Sequence, residues 1–300
     1  MKAIETLVQA MPAEKSWPAV YADLFKLRLT LLVLLTTLVG FYVGERGPTN
    51  YLLMLHTILG TALVASGASA LNQFWERDYD ARMRRTQDRP LPSGRLQPRF
   101  VFVLGTALSV LGLGYLAVAV NPLTSTIAAC SLIAYLFVYT PLKRVTWLNT
   151  AIGAIPGGLP PLIGWAAARG QLSGAGWTLF GILALWQVPH FMAIAWIYRD
   201  EYARAGFKML PVIDPLGRRT GHQAVAHTLG LLPLSLCPFV LKLTGPIYFV
   251  GALALGLVFI WFAAQFSRSL TLSRARRLFY FSILYLPLLL AVMVLDKLKA

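Results

Sequence analysis

Asn72, Glu76 and Asp80 recur at intervals of four residues. On a helix each such step turns about 400°, so the three side chains share one stripe. Three hard oxygen donors on one stripe suit Mg²⁺, which keeps several waters and completes its shell with substrate phosphates. A second acidic group follows much later, in Tyr198-Arg-Asp200-Glu201-Tyr202-Ala-Arg204. Two carboxylate sets facing each other across a bundle would hold metal ions on one diphosphate and neutralise it as a leaving group. Asn72, Glu76, Asp80 and Asp200 are therefore the candidate catalytic residues, and with Glu201 the candidate metal ligands. A solvated helix end of mixed charge would also produce the first pattern, and an Asp200 to Arg204 helix pair the second. The distribution of acids favours chemistry: seven of the chain's twelve lie in these two regions, at Glu76, Asp78, Asp80, Asp88, Asp200, Glu201 and Asp214.

A diphosphate needs cations as well as metal. Lys143 and Arg144, just after Tyr139-Thr-Pro, are candidates, as are Arg77, Arg85, Arg89 and Arg204, with Tyr139 beside them. Lysine acts as a point charge and arginine as a fork that grips phosphate oxygens. The competing explanation for each is that it only orients a neighbouring helix across a membrane.

The elements that must position these residues are membrane helices. The chain has 300 residues, 57% of them hydrophobic and 13% charged, with a mean hydropathy of +0.63; a soluble domain is nearer about 25% charged. Apolar stretches long enough to cross a hydrocarbon core of about 30 Å recur from end to end, and in lipid the backbone must satisfy itself, which makes them helices. Nine spans are expected, near 24–43, 51–75, 99–119, 122–140, 147–168, 175–197, 224–242, 246–266 and 276–295. The fold class is all-α: a polytopic bundle around a central cavity open to the cytoplasmic side.

Counting Lys and Arg in alternate loops gives 22 against 5. The positive-inside rule then puts the N-terminus and the loops after spans 2, 4, 6 and 8 in the cytoplasm and the C-terminus outside. Both acidic regions fall on the cytoplasmic side. The same placement explains the net charge of +15 without nucleic acid. Residues 1–23 form a cytoplasmic segment without the compact apolar core of a cleavable signal, 24–296 a single transmembrane domain and 297–300 an outer tail. Cys130 and Cys237 fall in apolar spans and are expected to be packing residues.

At this point the motifs resemble a known family. The run Asn72-Gln-Phe-Trp-Glu-Arg-Asp-Tyr-Asp80, continuing through Arg85-Thr86 and Arg89-Pro-Leu-Pro-Ser-Gly94, is similar to the first aspartate-rich motif of the UbiA-type intramembrane prenyltransferases, in their haem O synthase branch. Lys26-Leu-Arg28, Tyr139-Thr-Pro-Leu-Lys-Arg144, the Gly153 to Trp165 block, Trp186-Gln-Val-Pro189-His190-Phe191 and Tyr198 to Val212 extend the resemblance over roughly residues 25 to 215. One departure is Glu76, where many members carry Asp.

The resemblance implies farnesyl diphosphate and haem b as substrates, Mg²⁺ as cofactor, a cell inner membrane location, and haem A synthase or terminal oxidase assembly proteins as partners besides the lipid bilayer. It also directs attention to His190, a polar ring inside an apolar span. His190, with Trp186, is the candidate haem contact; a hydrogen bond to a neighbouring helix is the plain alternative. His222 and His227 read as interfacial, and His56 sits near the far end of span 2. Two rivals stand beside this reading. A prenyltransferase of quinone precursors is disfavoured by His190 and the Arg85 to Gly94 run, and a secondary transporter by acids placed at helix ends rather than at the midplane.

Overall fold

The computed structural model describes residues 15–298, so residues 1–14 of the expected N-terminal segment and the last two residues of the 297–300 tail lie outside the described residues. Among the described residues nine helices are long and apolar enough to cross a membrane: Leu27–Gly44, Tyr51–Asp80, Pro98–Ala119, Pro122–Val145, Asn149–Arg169, Gly174–Ile197, Arg218–Val240, Pro246–Arg268 and Leu272–Leu295. They are spans 1 to 9, and they bear out the all-α, nine-span expectation. Side chains such as Val118 and Leu295 are almost fully exposed, as lipid-facing residues are.

Three helix ends differ usefully from the sequence expectation. Span 1 opens at Leu27 because Lys26 takes a left-handed turn, with φ 47°, after a short helix Trp17–Leu24. Span 7 starts six residues early, at Arg218, and Asp214 accepts hydrogen bonds from the backbone and hydroxyl of Thr220 there. Span 2 continues to Asp80. Its 30 residues reach about 45 Å at 1.5 Å per residue, well beyond a hydrocarbon core of about 30 Å. Hydropathy registers only the apolar part of such a helix, and the final residues, which carry Glu76 and Asp80, run past the expected end at residue 75.

Helices in lipid have little hydrophobic drive to associate and depend on close packing. Span 5 shows how this sequence achieves it. A Cβ on Gly164 would meet the backbone of Thr37 and Phe41, and the backbone of Pro161 abuts Gly40, so spans 1 and 5 touch main chain to main chain. Another face of span 5, with Gly153, Pro156, Gly157 and Pro160, lines an internal cavity. Pro160 cannot donate to the carbonyl of Pro156, and Ser131 Oγ of span 4 donates to that carbonyl instead, at 3.0 Å. The glycines and prolines of this span thus serve both packing and cavity shape.

Candidate functional site

The stripe on span 2 is buried. Asn72 is 0% exposed, Asp80 1% and Glu76 6%. Burying carboxylates costs several kcal/mol each unless they are paired, and both are. Lys143 Nζ donates to Glu76 Oε1 at 2.9 Å and to Oε2 at 3.1 Å. Arg89 donates to Asp80 Oδ2 at 2.7 Å. Lys26 Nζ donates to Asn72 Oδ1, and Asn72 Nδ2 in turn donates to Glu76 Oε2 at 3.1 Å and to Thr140 Oγ1 at 3.0 Å. The stripe is thereby clamped between the start of span 1, the end of span 4 and the loop after span 2.

Two local features bring the cations in. The left-handed turn at Lys26 places its amine on span 2 rather than into lipid, where it also donates to the Tyr135 hydroxyl at 3.1 Å. In span 4 the helix widens to π geometry over Ala134–Tyr139. Such bulges often mark functional sites. Here it stacks Tyr135 and Tyr139, with centroids 5.9 Å apart, and puts Tyr139 under the Lys143 amine at 4.6 Å.

The end of span 6 closes the site from the other side. Arg85 donates from its backbone to Glu201 at 3.3 Å and from its guanidinium to the Tyr202 hydroxyl at 3.2 Å. Lys208 N donates to the Lys143 carbonyl at 2.8 Å, joining the loops after spans 4 and 6. The result is a polar pocket of about 90 Å³ walled by Glu76, Asp80, Lys26, Lys143, Arg85 and Arg89, with Tyr139, Tyr202 and Phe207. It shares Lys26, Lys143, Arg85 and Arg89 with an apolar cavity of about 430 Å³ that runs along span 2 from Ser69 to Thr61. Four cations against two carboxylates leave the pocket a net attractor of anions. Farther out, hydrogen bonds from Lys15 and then Arg95 hold the Asp88 carboxyl below its ordinary range and fix the rim of the loop.

Not every expected residue arrives. Asp200 points away from the pocket, its side chain 85% exposed beside Arg199, and Glu201 meets the Arg85 backbone rather than the carboxylate stripe. Among the described residues no three His, Cys, Asp or Glu side chains converge as metal ligands would. Arg77 folds back on its own helix, donating to the Phe74 carbonyl at 2.9 Å. Arg144 is held outside by the Tyr79 hydroxyl at 2.8 Å, and Arg204 is exposed. Asp200 and Arg204 stand two residues either side of the pocket-lining Tyr202, on the far side of their short helix, while Arg77 and Arg144 leave about 100° round the helix from Glu76 and Lys143. Conversely, Lys26, Tyr135, Thr140, Tyr202, Phe207 and Met209 belong to the site or its walls without having been expected there. For Lys26 the available signal was a lysine at the very mouth of an apolar span, which also serves topology.

His190 lies on the flank of the cavity. Its neighbour Phe191 and Gln187 one turn away line the apolar chamber. The imidazole stacks on Trp186, with centroids 5.1 Å apart, and its Nδ1 is 2.8 Å from Ser282 Oγ of span 9. The hydrogen bond to a neighbouring helix considered from the sequence is therefore present, and it occupies one ring nitrogen.

The arrangement can bind an anionic phosphorylated head in a cationic pocket, offer buried carboxylates to a divalent ion, and hold an apolar chain in the adjoining cavity. The model of the UbiA prenyltransferase family matches residues 33–286. A protoheme IX farnesyltransferase of Solibacter usitatus is 48% identical over 286 residues, covering 92% of this chain and 98% of that protein. Among solved structures, a digeranylgeranylglyceryl phosphate synthase superposes with a TM-score of 0.79 at 17% identity, over 94% of this chain and 99% of the other. A UbiA homolog from Archaeoglobus fulgidus bound to GPP and Mg²⁺ gives 0.68 at 18% identity, over 91% and 99%.

Proposed function

Since the chain belongs to the UbiA prenyltransferase family, we propose that it transfers a farnesyl group from farnesyl diphosphate to a vinyl group of haem b, with addition of water, giving haem O and diphosphate. The observation that carries this reading is the junction of the cationic, carboxylate-bearing pocket with an apolar cavity of about 430 Å³, within the usual range of about 300–1,000 Å³ for ligand sites. It is supported by the activity named for the relatives over nearly the whole chain.

The diphosphate head sits among Lys26, Lys143, Arg85 and Arg89, and the isoprenoid lies along span 2 between Ser69 and Thr61. Cleavage of the allylic carbon to oxygen bond sends its electron pair to the departing diphosphate. The haem vinyl π electrons then attack the farnesyl cation, and water adds to the resulting carbocation and loses a proton. No protein nucleophile is required; the residues hold the reactants and stabilise charge. Enclosure by the apolar walls keeps water from quenching the first cation.

The donor set of the first stripe fits Mg²⁺. Asn72, Glu76 and Asp80 present oxygens of the hard type it prefers, and their present partners, Lys26, Lys143 and Arg89, are the cations that an arriving diphosphate would draw to itself. When bound, the ion supplies charge neutralisation to the leaving group. Asp200 and Glu201 join such a set only if the short helix Arg199–Arg204 turns. The distribution of basic residues supports an inner membrane orientation with the pocket and N-terminus cytoplasmic and the C-terminus outside.

The test is release of diphosphate from farnesyl diphosphate by purified protein given haem b, with formation of a product heavier by the hydroxyfarnesyl unit. Absence of that product in the presence of Mg²⁺ and both substrates sinks the reading. A prenylated hydroxybenzoate instead would establish the quinone-precursor alternative.

A further inference from the structure

Ser282 is engaged three times where spans 6 and 9 meet. Its carbonyl accepts the indole hydrogen of Trp186 at 2.8 Å. Its hydroxyl lies 2.6 Å from the carbonyl of Phe279 and 2.8 Å from His190 Nδ1. A serine hydroxyl has one hydrogen and two lone pairs, whereas a carbonyl oxygen can only accept. At 2.6 Å the hydroxyl hydrogen must point at Phe279, since two oxygens that close with no hydrogen between them repel. Ser282 Oγ therefore meets His190 as an acceptor, which requires a hydrogen on Nδ1.

In a neutral imidazole, a hydrogen on Nδ1 leaves the lone pair on Nε2. Among the described residues Nε2 has no hydrogen-bond partner in the chain. Nor is it enclosed like Trp165 Nε1 or Arg169 Nε, which are buried with no partner. Trp186, stacked at 5.1 Å, and Phe279, at 5.0 Å, hold the ring plane. An oriented imidazole with a fixed tautomer and a free nitrogen, beside the cavity that Phe191 lines, suits a metal ligand. A metal-ligating histidine commonly donates its other ring hydrogen to a fixed acceptor in this way.

Resting on the reading of haem b as the prenyl acceptor, we infer that Ser282 is a positioning residue. It holds His190 in the Nδ1–H form and so presents Nε2 to the haem iron, fixing where the macrocycle stands relative to the farnesyl cation.

The experiment titrates purified full-length protein with ferric haem b and, separately, with metal-free protoporphyrin IX, without prenyl diphosphate. The expected results are a histidine-ligated haem spectrum that His190→Ala abolishes, and a loss of haem affinity in Ser282→Ala of about 10- to 100-fold, the usual effect of removing such a partner. Protoporphyrin binding is unchanged in both variants, and Ser282→Thr, which keeps the hydroxyl, retains haem binding. Equal loss of haem and protoporphyrin in Ser282→Ala would mean that Ser282 only packs, and wild-type haem affinity in that variant would also overturn the inference. Should Ser282→Ala not fold, ¹⁵N-histidine spectra of the wild-type protein, assigned with His190→Gln, decide the matter: an Nε2–H signal for His190 refutes the tautomer. Farnesyl transfer that continues while these readouts fail removes this inference alone. Failure to bind either porphyrin or to transfer the farnesyl group removes the haem reading with it.

Discussion

Replacing Lys143 by Met removes one half of one of the two enclosed ion pairs in the pocket. The Glu76 side chain is 7% exposed and that of Lys143 17%, with nitrogen and oxygen 2.9 Å apart. At this separation and an effective dielectric of about 20, the gross attraction is about 6 kcal/mol, and stranding one member of a buried pair costs about 3–5 kcal/mol. Glu76 would keep the Asn72 amide at 3.1 Å and the nearby charge of Lys26. The expected loss for Lys143→Met is therefore near the lower limit, about 3 kcal/mol. Glu76→Gln strands Lys143 over the Tyr139 ring and costs a similar amount. The double variant strands nothing, so it should recover part of the sum, with a coupling of about 1–3 kcal/mol. Unfolding of the four proteins in the same detergent, followed by intrinsic fluorescence, measures the cycle. Strictly additive losses, or a Lys143→Met protein as stable as the parent, would refute the pairing. Diphosphate release should be lost in all three variants, since the double variant regains stability but not the groups that bind the leaving group.

Removal of divalent ions with a chelator should abolish product formation, and Mg²⁺ should restore it; full turnover in excess chelator would exclude the stripe as an ion site. Asp80→Ala should lower turnover at least about 100-fold, the scale of losing a key electrostatic group, while Asp200→Ala, at the solvent surface, should lower it less. Equal losses, measured side by side, would show that the Arg199–Arg204 helix turns inward when substrate binds. Arg85→Ala should raise KM for farnesyl diphosphate about tenfold, the equivalent of one charge-assisted hydrogen bond of about 1.4 kcal/mol, with a smaller change in kcat. Ala65→Leu fills the cavity wall and should shift the kcat/KM preference from farnesyl toward geranyl diphosphate by about tenfold; an unchanged ratio would place the chain elsewhere.

The sequence was sufficient for the architecture because the solvent leaves so little choice. Lipid admits a span only as a self-satisfied helix, so hydropathy alone located all nine, and the period of four put Asn72, Glu76 and Asp80 on one stripe without any knowledge of neighbours. Where each helix stopped was less legible, since span 2 from Glu76 to Asp80 is helical by packing and pairing rather than by hydropathy. The cations were legible only as a set: Lys143, Arg85 and Arg89 enter the pocket, whereas Arg77, Arg144 and Arg204, of the same type and in the same loops, do not.

What separates those two groups is contact across the chain. Lys143 is aimed by a π-widened turn and by Glu76 from 67 residues away, Lys26 by a single left-handed residue, and His190 by a serine 92 residues on. Local periodicity determines which face of its own helix a side chain occupies, and to that extent composition and spacing determined the spans and the carboxylate stripe. Which partner that face meets depends on how nine helices settle against one another. Only the tertiary structure could decide that Asp200 looks outward, that the pocket opens into an apolar cavity, and that one nitrogen of His190 has no partner among the described residues.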